Sequence, residues 1–103
     1  MSKRKLLSVA ALAAIVGLAA SPAQADKVCK PRVLGAAAHG PIRATVEARA
    51  VAFWTARATA RHTLQYANWD NASDRSVGCR RYTSVLGVNL WECRARANPC
   101  RLR

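Results

Sequence analysis

Acidic side chains are scarce in this chain: five Asp and Glu, scattered from Asp26 to Glu92, stand against 17 Lys and Arg. A hydrolase built on paired carboxylates needs two acids converging on one bond, and so thin a supply argues against that class. Histidine is rarer still, with only His39 and His62, which leaves general acid-base chemistry two imidazoles to work with. There is no glycine-rich phosphate loop and no nucleophile elbow, so nucleotide hydrolysis and serine acyl transfer lack their sequence signatures. The closest cysteines, Cys93 and Cys100, have six residues between them and no histidine nearby, which is not the paired spacing of a zinc site. Neither an internal repeat nor a low-complexity tract is present. The longest apolar run, residues 6–20, falls short of the roughly 20 residues that span a bilayer.

That run belongs to a different pattern. Lys3, Arg4 and Lys5 precede it as a positive n-region, and SPAQA follows it, ending in A-x-A with small residues at Ala23 and Ala25. This three-part plan predicts a secretory signal peptide over residues 1–25, cut between Ala25 and Asp26. No cysteine directly follows the cut, so a lipid anchor is not expected, and the product is expected in the periplasm or outside the cell. All four cysteines (Cys29, Cys79, Cys93 and Cys100) lie beyond the cut. An even number in a short exported chain favours two disulfides over metal or redox chemistry, and no metal or cofactor is expected.

The remaining 78 residues make one small domain, 26–103, whose core is thin enough for covalent staples to matter. Without Lys3, Arg4 and Lys5 the charge is about +9, and twelve of the 14 remaining bases are Arg. Such a field draws polyanions or anionic bilayers, and Arg forks onto phosphate and carboxylate better than Lys does. An Ala- and Arg-rich composition is also what a GC-rich gene produces.

Along the chain, residues 33–38 read as a short strand. Gly40 and Pro41 then punctuate, with Pro41 suited to a first helical turn. Ile42, Val46, Phe53, Ala56, Ala60, Leu64 and Ala67 recur at steps near three and four, predicting one long amphipathic helix to about Asn68. Arg43, Arg57 and Arg61 share an adjoining face with Glu47, which pairs with Arg43 at i, i+4. Trp54 falls on that arginine side, whereas Trp69 and Trp91 read as core. Residues 68–78, NWDNASDRSVG, read as a loop. Beyond them the alternation on both sides of Gly87 predicts a β-hairpin. Pairing positions that sum to 172 sets Cys79 opposite Cys93, Arg80 opposite Glu92, Arg81 opposite Trp91 and Tyr82 opposite Leu90. Those pairs are a disulfide, an ion pair, a cation-π contact and an apolar pair, each a kind that stabilises sheets.

The order strand, helix, strand, strand is an α+β arrangement, β-α-β-β, with the helix across one face of a small antiparallel sheet. The third strand then ends where the first began. This selects Cys79 with Cys93 and Cys29 with Cys100, closures worth about 3 and roughly 4 to 5 kcal/mol in the chain-entropy account. The final RLR reads as a frayed basic tail.

Trp54, then Tyr66, Trp69 and Ala72, then Cys79, Trp91, Cys93, Ala97, Pro99, Cys100 and Arg101 follow the pattern W, Y-G-x-x-Y-x-x-W-x-x-A, C, an aromatic near C, and A-x-P-C-R. Over about two thirds of residues 26–103 the chain thus resembles small exported alphaproteobacterial proteins of unknown function. The departure is His62-Thr63 in place of Tyr-Gly, which removes the natural glycine stop of the helix. The resemblance implies no activity and supplies no catalytic residue.

For function, the expectation is a non-enzymatic module that binds an anionic partner, such as polysaccharide, lipopolysaccharide, nucleic acid or a membrane surface. Its candidate residues are Arg80, Arg94 and Arg96, sharing the hairpin face opposite the cysteines, followed by Arg101 and Arg103. The competing readings are a cationic membrane-active effector, a protein-binding or inhibitory module, an aromatic stacking platform for single-stranded nucleic acid, and a small nuclease using His39 and His62.

Overall fold

Alternating small and polar residues on either side of Gly87 build the longest element, an antiparallel hairpin of β4 (Ser73–Thr83) and β5 (Asn89–Asn98). The structure, a computed structural model, describes residues 26–103; the predicted leader, residues 1–25, and its cut lie outside the described residues. In the hairpin Cys79 faces Cys93, Arg80 faces Glu92, Arg81 faces Trp91 and Tyr82 faces Leu90, the register that the residue pairs imply. Strand β4 begins within the stretch expected to be a loop. The ladder continues through Gly78, Val77 and Ser76, then shifts at a bulge before Ser73 pairs with Asn98. Asp74, at φ 52°, takes the left-handed turn there, which a short polar side chain tolerates. The polar residues of this stretch are strand residues whose outward side chains meet water, so composition misplaced them.

Strand β5 is central. On its other edge run β2 (Val33–Leu34) and β3 (Ala38–Gly40), both antiparallel to it. Five residues separate Val33 from Ala38, while their partners Ala97 and Cys93 are four apart. The extra residue is a bulge that keeps both Val33 and Ala38 pointing inward. The single predicted strand over 33–38 is therefore two, and β3 carries His39 opposite Glu92. A second, two-stranded sheet pairs β1 (Lys27–Cys29) with β6 (Cys100–Leu102). The RLR end is thus an ordered strand, corrected from a frayed tail, because pairing with β1 satisfies its backbone. Both disulfides, Cys29–Cys100 and Cys79–Cys93, form as expected, and the architecture is α+β with one long helix on small antiparallel sheets.

Helix α1 (Arg43–His62) packs on the inner sheet face through Val46, Ala50, Trp54 and Ala58, all fully buried. Those positions form one row at steps of four. Only Val46 belongs to the stripe expected from sequence; Ile42 is 62% exposed, Phe53 36% and Leu64 74%. The reason is the partner surface. Inward positions of β5 carry Cys93, Ala95 and Ala97, a shallow trough that admits an Ala-lined helix face and one large side chain. Trp54 takes that place, donating its Nε1–H to Val33 O at 3.1 Å and meeting Trp69 edge-on at 5.0 Å. Gly35 makes the approach possible: a Cβ there would lie 2.9 Å from both Trp54 Cα and Trp54 N.

The helix ends at His62 and not near Asn68. Two single 3-10 turns, Leu64–Tyr66 and Trp69–Asn71, follow, the second capped by Asn68 Oδ1 accepting from Asp70 N–H at 2.9 Å. Thr63 makes the break, with φ 81° and ψ 164° and its N–H still bonded to Thr59 O. This region is essentially glycine's own, and Thr63 occupies the position where the resembled pattern carries Gly. Thr63→Gly is accordingly expected to stabilise the fold by about 1 kcal/mol, read as a higher urea midpoint at unchanged slope. Gly35→Ala is expected to destabilise by roughly 1 to 3 kcal/mol, because the atoms it strikes are backbone and no rotamer change relieves the contact.

Candidate functional site

With α1 covering the inner face, the even-numbered residues of β5 and β4 are left on an uncovered outer face, together with Leu34 and His39 of the edge strands. On this face Gly78 lies directly opposite Arg94, and Ser76 opposite Arg96. The missing side chain at Gly78 leaves a depression of about 370 Å3, lined by Gly78, Cys79, Arg80, Glu92, Arg94 and Arg96. A Cβ at Gly78 would meet only Arg96 Nη2, at 3.6 Å, so the Arg96 guanidinium leans across the glycine. Its Nε is cut off from water and has no hydrogen-bond partner among the described residues. A donor left in that state costs free energy until something accepts from it.

Glu92 is the one acid in the lining. Its carboxylate is bonded to the Arg80 guanidinium on one side and lies 3.2 Å from His39 Nε2 on the other. Burial pushes this carboxyl up, but the hydrogen bond to His39 and the charge and hydrogen bond of Arg80 outweigh it and hold the group below its ordinary value of 4.5. Glu92 thereby neutralises Arg80 in part, whereas among the described residues neither Arg94 nor Arg96 has an acid at ion-pair distance. Two guanidiniums with five donors each can present forks to a tetrahedral anion.

The structure thus brings Arg80, Arg94 and Arg96 together and places the other two candidates elsewhere. Arg101 donates from Nε to Tyr66 Oη at 3.0 Å, and the Tyr66 ring has Arg101 and Lys30 over it at 5.8 and 5.2 Å. Arg103 closes the β1–β6 ladder through its N–H to Asp26 O. His39 and His62 precede and end a 20-residue helix, about 30 Å of rise apart, and so do not converge. The aromatic side chains are largely engaged. Trp54 is buried, and Trp91 has Arg43 at 4.9 Å and Arg81 at 5.4 Å over its ring, whereas a stacking platform needs free ring faces. Among the described residues no group of three or more His, Cys, Asp or Glu is placed to hold a metal ion.

Gly78, Glu92 and His39 went unnoticed as parts of this site in the sequence. A glycine inside a strand marks a close approach or a gap, and that signal was available for Gly78; nothing in the sequence links His39 to Glu92.

Two disulfides fit an oxidising, non-cytoplasmic environment, and no helix of the described residues is long and apolar enough to cross a membrane. No protein-family model, curated protein or solved structure matches the chain.

Because the Glu92 carboxyl is held low in the folded state, the stability it contributes is fully present above its unfolded value and is lost as pH falls through the depressed folded one. Denaturant midpoints taken from pH 6 downward are expected to fall below pH 4.5 in the wild type, and to fall less in Glu92→Gln.

Proposed function

We propose that this chain is a small exported, non-enzymatic module that binds polymers bearing phosphate or sulfate groups on the arginine face of its hairpin, in the periplasm or outside the cell after removal of residues 1–25. Sulfated or phosphorylated polysaccharide, lipopolysaccharide and nucleic acid carry such groups. One observation carries the reading: Arg94 and Arg96 flank a side-chain-free floor at Gly78, with no acid of their own and with Arg96 Nε buried and unpartnered among the described residues. An oxyanion seated there would accept from the Nη donors of the two guanidinium forks. The charge of about +9 supplies long-range attraction in support. Arg101 and Arg103, away from the depression, would add a second contact for a polymer long enough to reach both.

Salt elution from heparin and from single-stranded nucleic acid tests this. The wild type is expected to hold well above physiological salt, and Arg94→Ala to lower the salt slope of binding by about one. Gly78→Val keeps every charge but fills the floor, and is expected to weaken binding while leaving the strand intact. Wild-type elution at low salt, like that of a neutral protein, would overturn the proposal.

A further inference from the structure

We infer that the apex of the β4–β5 hairpin is a docking tip for an anionic lipid surface. Its apolar residues, Val85, Leu86 and Val88, are other than those lining the depression, whose Arg94 and Arg96 lie six or more residues further along β5, roughly 20 Å away. At the apex Val85 is 101% exposed, Leu86 86% and Val88 49%. Isolated exposed aliphatics are ordinary, but three within residues 84–88 make a local apolar patch.

The loop's backbone is prepared for a medium that offers few hydrogen bonds. Ser84 N–H donates to Val88 O at 2.8 Å and Gly87 N–H to Ser84 O at 2.9 Å. Ser84 Oγ accepts from Leu86 N–H at 3.3 Å and from Val88 N–H at 3.2 Å. Gly87, at φ 80°, supplies the left-handed residue that ends a three-residue hairpin loop. Four N–H groups are therefore satisfied inside the loop, and an apolar phase would not strand them.

Behind the tip the residues are graded. Thr83 and Asn89 form a polar rung, then come Tyr82 with Leu90, and then Arg81 with Trp91 and Arg80 with Glu92. Arg43 of α1 lies over the same Trp91 ring. Residues 80–91 contain no Asp or Glu. At about 3.4 Å per residue Arg81 sits about 14 Å behind Val85. Interfacial segments bury their apolar part about 5 to 10 Å, so aliphatic side chains at the top of the acyl region put guanidiniums among the phosphates, with Trp91 and Tyr82 at the depth such rings prefer. Each arginine near an anionic leaflet adds about fivefold in affinity. The Cys79–Cys93 disulfide ties the hairpin just below, which limits the ordering cost of docking.

Co-sedimentation with vesicles of phosphatidylcholine containing about one third phosphatidylglycerol tests the inference, with pure phosphatidylcholine as reference. The wild type is expected to bind the anionic vesicles and not the neutral ones. Leu86→Asp is expected to lower that binding about tenfold or more and to leave heparin elution unchanged, while Gly78→Val does the reverse. In Leu86→Trp, brominated acyl chains are expected to quench fluorescence beyond the quenching seen in wild type. Equal vesicle binding by wild type and Leu86→Asp, no binding by wild type, or no added quenching would each overturn it. So would sedimentation velocity showing a dimer dispersed by Leu86→Asp without any vesicle binding, which would assign the tip to a second copy. Leu86 is exposed, so neither substitution endangers folding, and loss of heparin retention with vesicle binding intact would remove the polymer site while leaving the tip.

Discussion

The domain depends on one indole. Trp54 fills the gap between a helix and a sheet whose facing surfaces are otherwise built of Ala, Val and Cys. A buried Trp removes about 150 to 250 Å2 from water, several times what each surrounding alanine can. The small residues are what make room for it. With Ala95 and Ala97 beneath and Gly35 at its backbone, the helix comes close enough for Nε1 to reach Val33 O, and the edge strand is fastened to the helix by the same side chain that forms the core. A core so thin is supplemented covalently: one disulfide joins the two long strands, and the other joins the first described strand to the last.

The arginines divide into those used by the fold and those left over. Arg49 Nη1 donates to His39 O at 2.7 Å and Arg57 Nη1 to Leu34 O at 3.0 Å, so the helix closes carbonyls of the edge strands that would otherwise invite another strand. Arg43 pairs with Glu47 and lies over Trp91, and Arg101 is held by Tyr66. A basic composition is in this respect a structural material, and net charge alone overstates the binding surface. On the outer face of the hairpin, the arginines not taken up in this way among the described residues are Arg94 and Arg96, beside the acid that Arg80 and His39 already share.

These placements give the hairpin two distinct regions on one rigid ribbon. Near its base, a missing side chain among guanidiniums creates room for an anionic group. At its apex, aliphatic side chains project from a loop in which four backbone N–H groups are bonded internally. Each can be altered without disturbing the other because they lie far apart along strands held in fixed register by the Cys79–Cys93 bridge.

Strand register was legible in the sequence because a period of two leaves little freedom: once Cys79 faces Cys93, Arg80 must face Glu92 and the arginines must share the opposite face. The order of elements gave the α+β class, and with the third strand ending where the first began it paired Cys29 with Cys100. The buried face of the helix was not legible, since a count of apolar residues favours Phe53 and Ile42 by size, whereas the alanine trough opposite admits only a row of small residues around Trp54. Nor were the strand character of residues 73–78, the ordered C-terminal strand and the His39–Glu92 contact, each of which depends on a partner distant in sequence. Local pattern and pairing chemistry alone set the architecture of this chain; which surfaces were covered, and so which arginines remained free, was decided only when helix and sheet met, because burial is a property of two surfaces and a sequence written in one line records only one of them at a time.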